Sequence, residues 1–193
     1  MIIVRLMRKI WPLAMLAALG CGTLRQPTTP KVYVDTNLTM AERKCVEYAA
    51  YQWDQQTEGL ASVDLVFDEY DSHSQDSILE HLEDNKIQLW WNKGHQQFED
   101  AKGPTVAVTN GQFVDGGVVI NLSREHLKTD YWLCTSTVMH ELGHAWGLDH
   151  TDSRKNVMFP HVSREPFTCL SQEDLDDYCG IYDCGTVHPK GCK

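Results

Sequence analysis

Residues 140–150 read His140-Glu141-Leu142-Gly143-His144-Ala145-Trp146-Gly147-Leu148-Asp149-His150. His140 and His144 are four residues apart, so on a helix their side chains lie one turn apart on the same face. This spacing lets two imidazoles bind one metal ion, and Glu141 lies beside the first of them. Pairs of histidines at this spacing also occur on ordinary helix surfaces. The pair alone therefore does not distinguish a metal site from a solvated helix face.

Gly147 and His150 favour the metal site. A glycine adopts positive φ at little steric cost, so Gly147 predicts a sharp end to the helix and returns His150 toward the first two histidines. Three neutral imidazoles leave a fourth coordination position open, which is typical of a catalytic zinc site. The segment therefore predicts one Zn²⁺ ion held by His140, His144 and His150, with Glu141 as the general base that takes a proton from water.

The segment resembles the signature of the metzincin clan of zinc peptidases, His-Glu-x-x-His-x-x-Gly-x-x-His followed by a methionine turn. Residues 156–160, Asn-Val-Met-Phe-Pro, match that turn. Within the clan the chain is most similar to the matrixins. Their Met-Tyr-Pro is similar to the Met-Phe-Pro found here, and their closing helix is similar to residues 170–175 and 180–182. In layout the resemblance extends over residues 31–185, and its recognisable motifs lie within residues 140–182.

The resemblance implies an α+β fold, with a twisted, mixed five-stranded sheet, an active-site helix and a C-terminal helix. It implies a zinc-dependent endopeptidase in which Met158 lies beneath the metal and its histidines. His161 follows the methionine turn, where a matrixin forms the wall of its S1′ pocket, so we expect a substrate contact there. The structural zinc and calcium motifs of the family are not visible in residues 105–122, so the resemblance implies the catalytic zinc alone.

Alternation of apolar and polar residues and turn signals predict five strands, at Lys31–Asp35, Ser62–Phe67, Ile87–Trp91, Thr105–Thr109 and Val118–Leu122. Helices are predicted over Leu38–Gln56, from Asp130 to about Trp146, and over Gln172–Tyr178. The predicted caps are Thr36 or Asn37, then Asp130, then Ser171 with Asp174 at the third helical position. Asn110-Gly111 is expected in a turn. Thr105–Thr109 is the candidate edge strand for an extended peptide substrate.

The first twenty residues differ in kind from the rest. Three basic residues in the first nine positions precede a short apolar run, Ile10–Leu19, which is typical of a signal peptide and too short to span a bilayer. The run ends at Cys21 in a segment that resembles a bacterial lipobox, so we expect Cys21 to be lipidated. The expected organisation is a lipoprotein-type signal peptide at 1–20, a tether at 21–30 and a metzincin-like catalytic domain at 31–193.

The cysteines support an exported protein. The chain has seven cysteines, and assigning Cys21 to a lipid leaves six: Cys45, Cys134, Cys169, Cys179, Cys184 and Cys192. An exported chain lies in an oxidising compartment, so these six are expected to form three disulfides. The sequence does not choose between the alternative pairings.

The net charge of the chain limits the classes of partner that it is expected to bind. Lys and Arg number 17 against 27 Asp and Glu, a formal net charge of −10, which argues against nucleic-acid binding because that requires a basic face. We expect a protein or peptide substrate, a monomer, and contact with a membrane only through a lipid anchor. The expected location is the cell envelope as an anchored lipoprotein, or the outside of the cell if the chain is simply secreted.

Two alternatives to an endopeptidase remain open at this point. A zinc-stabilised binding module or adhesin would share the fold without turnover, although such a protein needs no Glu141 beside the metal. A zinc amidase acting on cell-wall peptides would share the chemistry and differ in substrate. Activity on casein or gelatin, compared with activity on peptidoglycan fragments, distinguishes the amidase from the endopeptidase.

Overall fold

The computed structural model describes residues 29–35, 38–68, 86–92, 107–110, 118–123, 130–161 and 167–191. These residues form five strands and three helices. Their order along the chain is β1 (Lys31–Asp35), α1 (Met40–Gln56), β2 (Asp64–Asp68), β3 (Lys86–Asn92), β4 (Ala107–Asn110), β5 (Val118–Ser123), α2 (Tyr131–Ala145) and α3 (Gln172–Ile181). The predicted signal peptide, Cys21 and most of the predicted tether lie outside the described residues. None of the described helices is long and apolar enough to cross a membrane.

The five strands form one mixed sheet in the order β2-β1-β3-β5-β4. Strands β1, β2, β3 and β5 are parallel, whereas β4 is antiparallel to β5 and lies at the edge of the sheet. The sheet and the helices confirm the predicted α+β class with a mixed five-stranded sheet. Asn110, which was expected in a turn, is instead the last residue of β4 and pairs with Val119 of β5.

The core lies between one face of β1 and the helices. Val32 and Val34 alternate along β1 and are almost completely buried in the same apolar cluster as α1 and α2. Leu65 and Phe67 of β2 stand beside them in register and pack against that cluster. The apolar residues that pack against the cluster thus alternate along both strands, as they do in a strand with one buried face.

Helix α1 begins one residue after Thr39, and not after Thr36 or Asn37 as predicted. The Thr39 hydroxyl accepts a hydrogen bond from the Glu42 amide, and the Glu42 carboxylate accepts one from the Thr39 amide. This capping box satisfies two backbone donors that a helix start otherwise leaves without partners. The predicted caps of the other two helices are confirmed: Asp130 caps α2 and Ser171 caps α3.

Helices α1 and α2 are tied together at two points. A disulfide joins Cys45 to Cys134 near their starts, with a Cα–Cα distance of 6.0 Å. Further along, the indole of Trp53 donates to the carbonyl of Met139 at 3.0 Å. These two ties hold α2 in a fixed position on α1 over the half of the helix that leads to His140.

Two further disulfide positions lie in the C-terminal segment. Cys179 is bonded to Cys184 across the end of α3, with a Cα–Cα distance of 5.5 Å. Cys169 is also disulfide-bonded, and its partner lies outside the described residues. The described cysteines therefore pair as expected for a chain that matures in an oxidising compartment.

Helix α3 is joined to the methionine turn by one buried carboxylate. Asp174 is 0% exposed and accepts hydrogen bonds from the amides of Val157 at 3.1 Å and Met158 at 3.2 Å. It also accepts from the amide and the hydroxyl of Ser171, at 2.8 and 2.7 Å. Three of these donors bond to Oδ2 and the Met158 amide bonds to Oδ1, so both oxygens of the buried carboxylate have hydrogen-bond partners.

We expect Asp174→Asn to lower the free energy of unfolding by on the order of 3 kcal/mol, because the new amide group points N–H donors at backbone N–H donors. Urea unfolding followed by circular dichroism measures the change. Asp176→Asn is the matched control, since Asp176 is an exposed carboxylate on the same helix. Equal unfolding midpoints for the two variants would contradict the role given to Asp174.

Candidate metal centre

Helix α2 places the first two histidines. His140 and His144 lie one turn apart with ring centroids separated by 4.6 Å. The Nδ1 atom of His140 lies 2.7 Å from the carbonyl oxygen of Val157, and Nδ1 of His144 lies 2.8 Å from that of Leu148. A carbonyl only accepts hydrogen bonds, so both Nδ1 atoms carry the proton and each neutral ring keeps its lone pair on Nε2.

Gly147 turns the chain back toward these rings. Its φ is 92°, in the left-handed region that glycine adopts without the strain of a side chain, and this confirms the predicted end of the helix. The amide of Leu148 then donates to the carbonyl of Gly143 at 3.0 Å, which closes the end of α2. The turn brings His150 to the same side of the molecule as His144.

The three Nε2 atoms converge on one point. Nε2 of His150 lies 3.0 Å from Nε2 of His144 and 3.3 Å from Nε2 of His140. A tetrahedral zinc ion with Zn–N bonds of about 2.0–2.1 Å requires nitrogens roughly 3.3 Å apart, so the spacing fits this ion. Lone pairs directed at each other repel, and a cation between them removes that repulsion. Within the described part of the chain, these histidines form the one group of three or more His, Cys, Asp or Glu side chains that lie close enough together to share a metal ion.

The surroundings keep the first two imidazoles neutral. Burial lowers the pKa of His140 to about 4, with smaller lowering by His144 and His150, against the opposing effect of the Val157 carbonyl. Burial also lowers the pKa of His144, while its bond to the Leu148 carbonyl acts in the opposite direction. Because a neutral imidazole is the form that binds metal, both rings are prepared to bind zinc at neutral pH.

The other predicted site residues differ in burial and in their contacts. Glu141 is 4% exposed on α2, directly after His140, so its side chain is shielded from bulk water. Met158 is 0% exposed. Its sulfur occupies the space that a side chain at Gly143 would need, which places Met158 against the helix between His140 and His144. His161 is exposed and packs edge-on against Phe159, with centroids 5.4 Å apart. Cys21 lies outside the described residues.

Two contributors to the site were missed in the sequence. The first is Asp174, which was noticed as a helix-capping residue but also binds the turn whose Val157 carbonyl orients His140. The second is Asn156, which was quoted only as part of the methionine turn and proves to be buried and hydrogen-bonded. The capping pattern in the sequence indicated Asp174 as a helix cap. No nearby residue, however, indicates its contacts with Met158 and Val157, which lie 16 and 17 positions earlier in the chain.

Solved structures share the fold. Metalloproteinase-II from Bacteroides fragilis superposes with a TM-score of 0.54 at 13% identity, over 83% of this chain and 55% of that one. Archaemetzincin from Methanopyrus kandleri superposes with a TM-score of 0.53 at 15% identity, over 79% of this chain and 94% of that one. This chain thus spans little more than half the length of the Bacteroides protein. At these identities the likeness concerns the fold alone.

Sequence comparison identifies the family. No curated protein matches the chain. The sequence model of the matrixin family, in contrast, matches residues 31–183, which include every described strand and helix as well as the three histidines and Met158. The match covers well over half of the chain, and the fold and the histidine geometry agree with it. The protein belongs to the matrixin family of zinc metallopeptidases.

Proposed function

We propose that the protein is a zinc-dependent endopeptidase with Glu141 as its general base. The observation that carries the proposal is that three imidazole Nε2 atoms converge, with Nε2 of His150 lying 3.0 Å from that of His144 and 3.3 Å from that of His140. Glu141, the residue directly after His140, has a carboxylate side chain that is shielded from bulk water. Three neutral nitrogen ligands leave a coordination position open, as in catalytic zinc sites. A purely structural zinc site would use four protein ligands, whereas three potential ligands, all histidines, converge here within the described residues.

The side chains of the site have distinct tasks. When bound by His140, His144 and His150, zinc supplies a Lewis acid that acidifies water and polarises a carbonyl group. The carbonyls of Val157 and Leu148 hold two of the rings in orientation, which reduces reorganisation during the reaction. Glu141 takes a proton from the attacking water and later gives it to the leaving amine.

Strand β4 supports a peptide as the substrate. It is the last strand in the described order and pairs there with β5, and backbone pairing along a strand edge is one way in which proteins bind extended peptides. The strand also packs near α2, which carries two of the histidines. We propose that an extended peptide pairs with this edge and that the bond to be cleaved lies near the three histidines, as cleavage inside a chain requires. His161, exposed beyond the methionine turn, is proposed to contact the substrate.

Glu141→Gln should lower kcat/KM about 10²- to 10⁴-fold while leaving bound zinc unchanged, because the amide keeps the shape of the carboxylate and cannot take the proton. The measurement is cleavage of a quenched fluorescent peptide library, together with zinc content by atomic absorption. Glu47→Gln on α1 is the control, since it removes an exposed carboxylate far from the histidines in sequence. Full turnover by Glu141→Gln would remove Glu141 from the role of base.

The same assay, extended to casein and to peptidoglycan fragments, separates the alternatives. Cleavage of peptides by the parent protein, abolished by a chelator, supports the endopeptidase. Zinc binding without cleavage of any peptide or of casein would instead support a binding module. Cleavage confined to peptidoglycan fragments would support the cell-wall amidase.

The metal-free protein should lose stability as the pH falls from about 7 to about 4. The pKa of His140 is lowered to about 4 in the folded chain, against about 6.5 when unfolded. Between these values the unfolded chain binds more protons, so acid favours unfolding, by about 3 kcal/mol from this group. Urea unfolding in a chelator at several pH values measures the effect. His140→Gln should reduce the pH dependence by that amount, and an identical dependence in both proteins would contradict it.

We propose that the chain is exported and anchored through a lipid on Cys21. The basic start, the apolar run Ile10–Leu19 and the cysteine that follows support lipidation, and the disulfides support an oxidising compartment. In a bacterial host, we expect the protein in the detergent-soluble membrane fraction and Cys21→Ala in the soluble fraction. Metabolic labelling with a fatty acid analogue checks the modification. Equal distribution of the two proteins would contradict the anchor and favour plain secretion.

A further inference from the structure

The third histidine is held by other means than the first two. Backbone carbonyls bind Nδ1 of His140 and His144, whereas no described residue forms a hydrogen bond with Nδ1 of His150. The His150 side chain is also exposed, so packing constrains it little. Among the described residues, the backbone of the loop that carries His150 therefore contributes to the position of its Nε2.

This loop runs from His150 to Met158 and closes on itself. The amide of Thr151, directly after His150, donates to the carbonyl of Met158 at 3.0 Å. Within the loop, the amide of Asn156 donates to the carbonyl of Ser153 at 3.1 Å and forms a turn. The backbone of the loop is thus joined at its base to the methionine turn, which Asp174 binds from α3.

Asn156 fills the interior of the loop. It is 2% exposed, and its Nδ2 donates to the Thr151 hydroxyl at 3.2 Å and to the Glu173 carboxylate at 2.6 Å. An amide NH₂ group has two hydrogens, so both are used. A carboxylate accepts and does not donate, which fixes the amide with its nitrogen toward Glu173. The side chain therefore has one orientation and bridges two separate parts of the chain.

Glu173 anchors the other end of this bridge. It lies in the first turn of α3, where the helix dipole favours a negative charge, and its short bond to Asn156 is charge-assisted. Glu173 is exposed, so its carboxylate is replaceable without opening a cavity in the core. A continuous series of contacts thus leads from α3 through Asn156 to Thr151, the neighbour of His150.

We propose that Asn156 and Glu173 are positioning residues for the third metal ligand. By holding Thr151, they hold the His150 backbone where its Nε2 meets the other two, and so they raise the affinity for zinc. The inference rests on the metal site of the proposed function and not on peptide hydrolysis. It therefore concerns metal affinity and is tested without a substrate.

Two single variants break the bridge. Glu173→Ala removes the charged acceptor and leaves one N–H of a buried amide without its partner. Asn156→Asp keeps the shape of the side chain but turns a carboxylate toward the Glu173 carboxylate. We expect each variant of the full chain to bind zinc about 10- to 100-fold more weakly, as is typical when a group that supports a metal ligand is lost. Competition with a chromophoric chelator measures the dissociation constant.

A double variant tests the geometry directly. In N156D/E173Q the polarity of the pair is reversed, so the amide introduced by E173Q donates to the carboxylate introduced by N156D. The Thr151 hydroxyl both donates and accepts, so it bonds to either side chain. Zinc affinity should recover to within a few-fold of the parent protein, above that of Asn156→Asp alone.

Asp176→Ala is the matched control for Glu173→Ala, because it removes one exposed carboxylate from the same helix. Its zinc affinity should equal that of the parent protein. A merely structural role would lower the urea midpoint of the metal-free protein and leave zinc affinity unchanged. Equal affinity in Glu173→Ala and Asp176→Ala would overturn the inference, as would a double variant that binds more weakly than Asn156→Asp. A parent protein that binds no zinc would instead overturn the proposed metal site.

Discussion

The convergence of three imidazole lone pairs on one point is the constraint on which the rest of the structure depends. Nitrogens 3.0 and 3.3 Å apart must be held in place, since without a cation they repel. Two of them obtain their spacing from a helix, in which residues four apart lie on one face. The third must return from beyond the helix end, and that requirement selects glycine at position 147, where φ is 92°.

Packing beneath the histidines holds this arrangement in place. A side chain at position 143 would collide with Met158 and approach Trp53. Because Gly143 has no side chain, the methionine turn can lie directly against α2. Trp53 in turn bonds to the carbonyl of Met139 and ties α1 to the same helix. On the other side, Asp174 binds the turn whose Val157 carbonyl orients His140. The C-terminal helix thus acts on the metal centre through two successive hydrogen-bonded contacts, although it contributes no ligand.

Much of this was predictable from the sequence, because local rules govern it. The histidine spacing, the glycine turn and the caps at Asp130 and Ser171 each follow from a few adjacent residues, and all appear as expected. The five strands were found at their approximate positions by alternation and turn signals. The cap of α1 was missed because Thr36 and Asn37 compete with Thr39 in the same segment. The capping box with Glu42 distinguishes Thr39 from them.

The features that could not be predicted all depend on contacts between distant parts of the chain. The pairing of Cys45 with Cys134 joins residues 89 positions apart, and several pairings satisfy the same count of cysteines. Asp174 was recognisable as a capping residue, but its bonds to Val157 and Met158 arise only when α3 folds against the methionine turn. Asn156 likewise acquires its role from Glu173, on a different element. Local pattern thus identified the ligands, whereas the groups that hold them in position required the fold.

X-ray absorption at the zinc K-edge tests the central claim most directly, because it reports the ligands of the metal itself. For the zinc-loaded protein we expect three imidazole nitrogens at about 2.0–2.1 Å and one further light ligand at the open position. Triple substitution of the three histidines by glutamine should abolish stoichiometric binding. A shell of sulfur at about 2.3 Å, or scattering from fewer than three imidazoles, would contradict a centre formed by His140, His144 and His150.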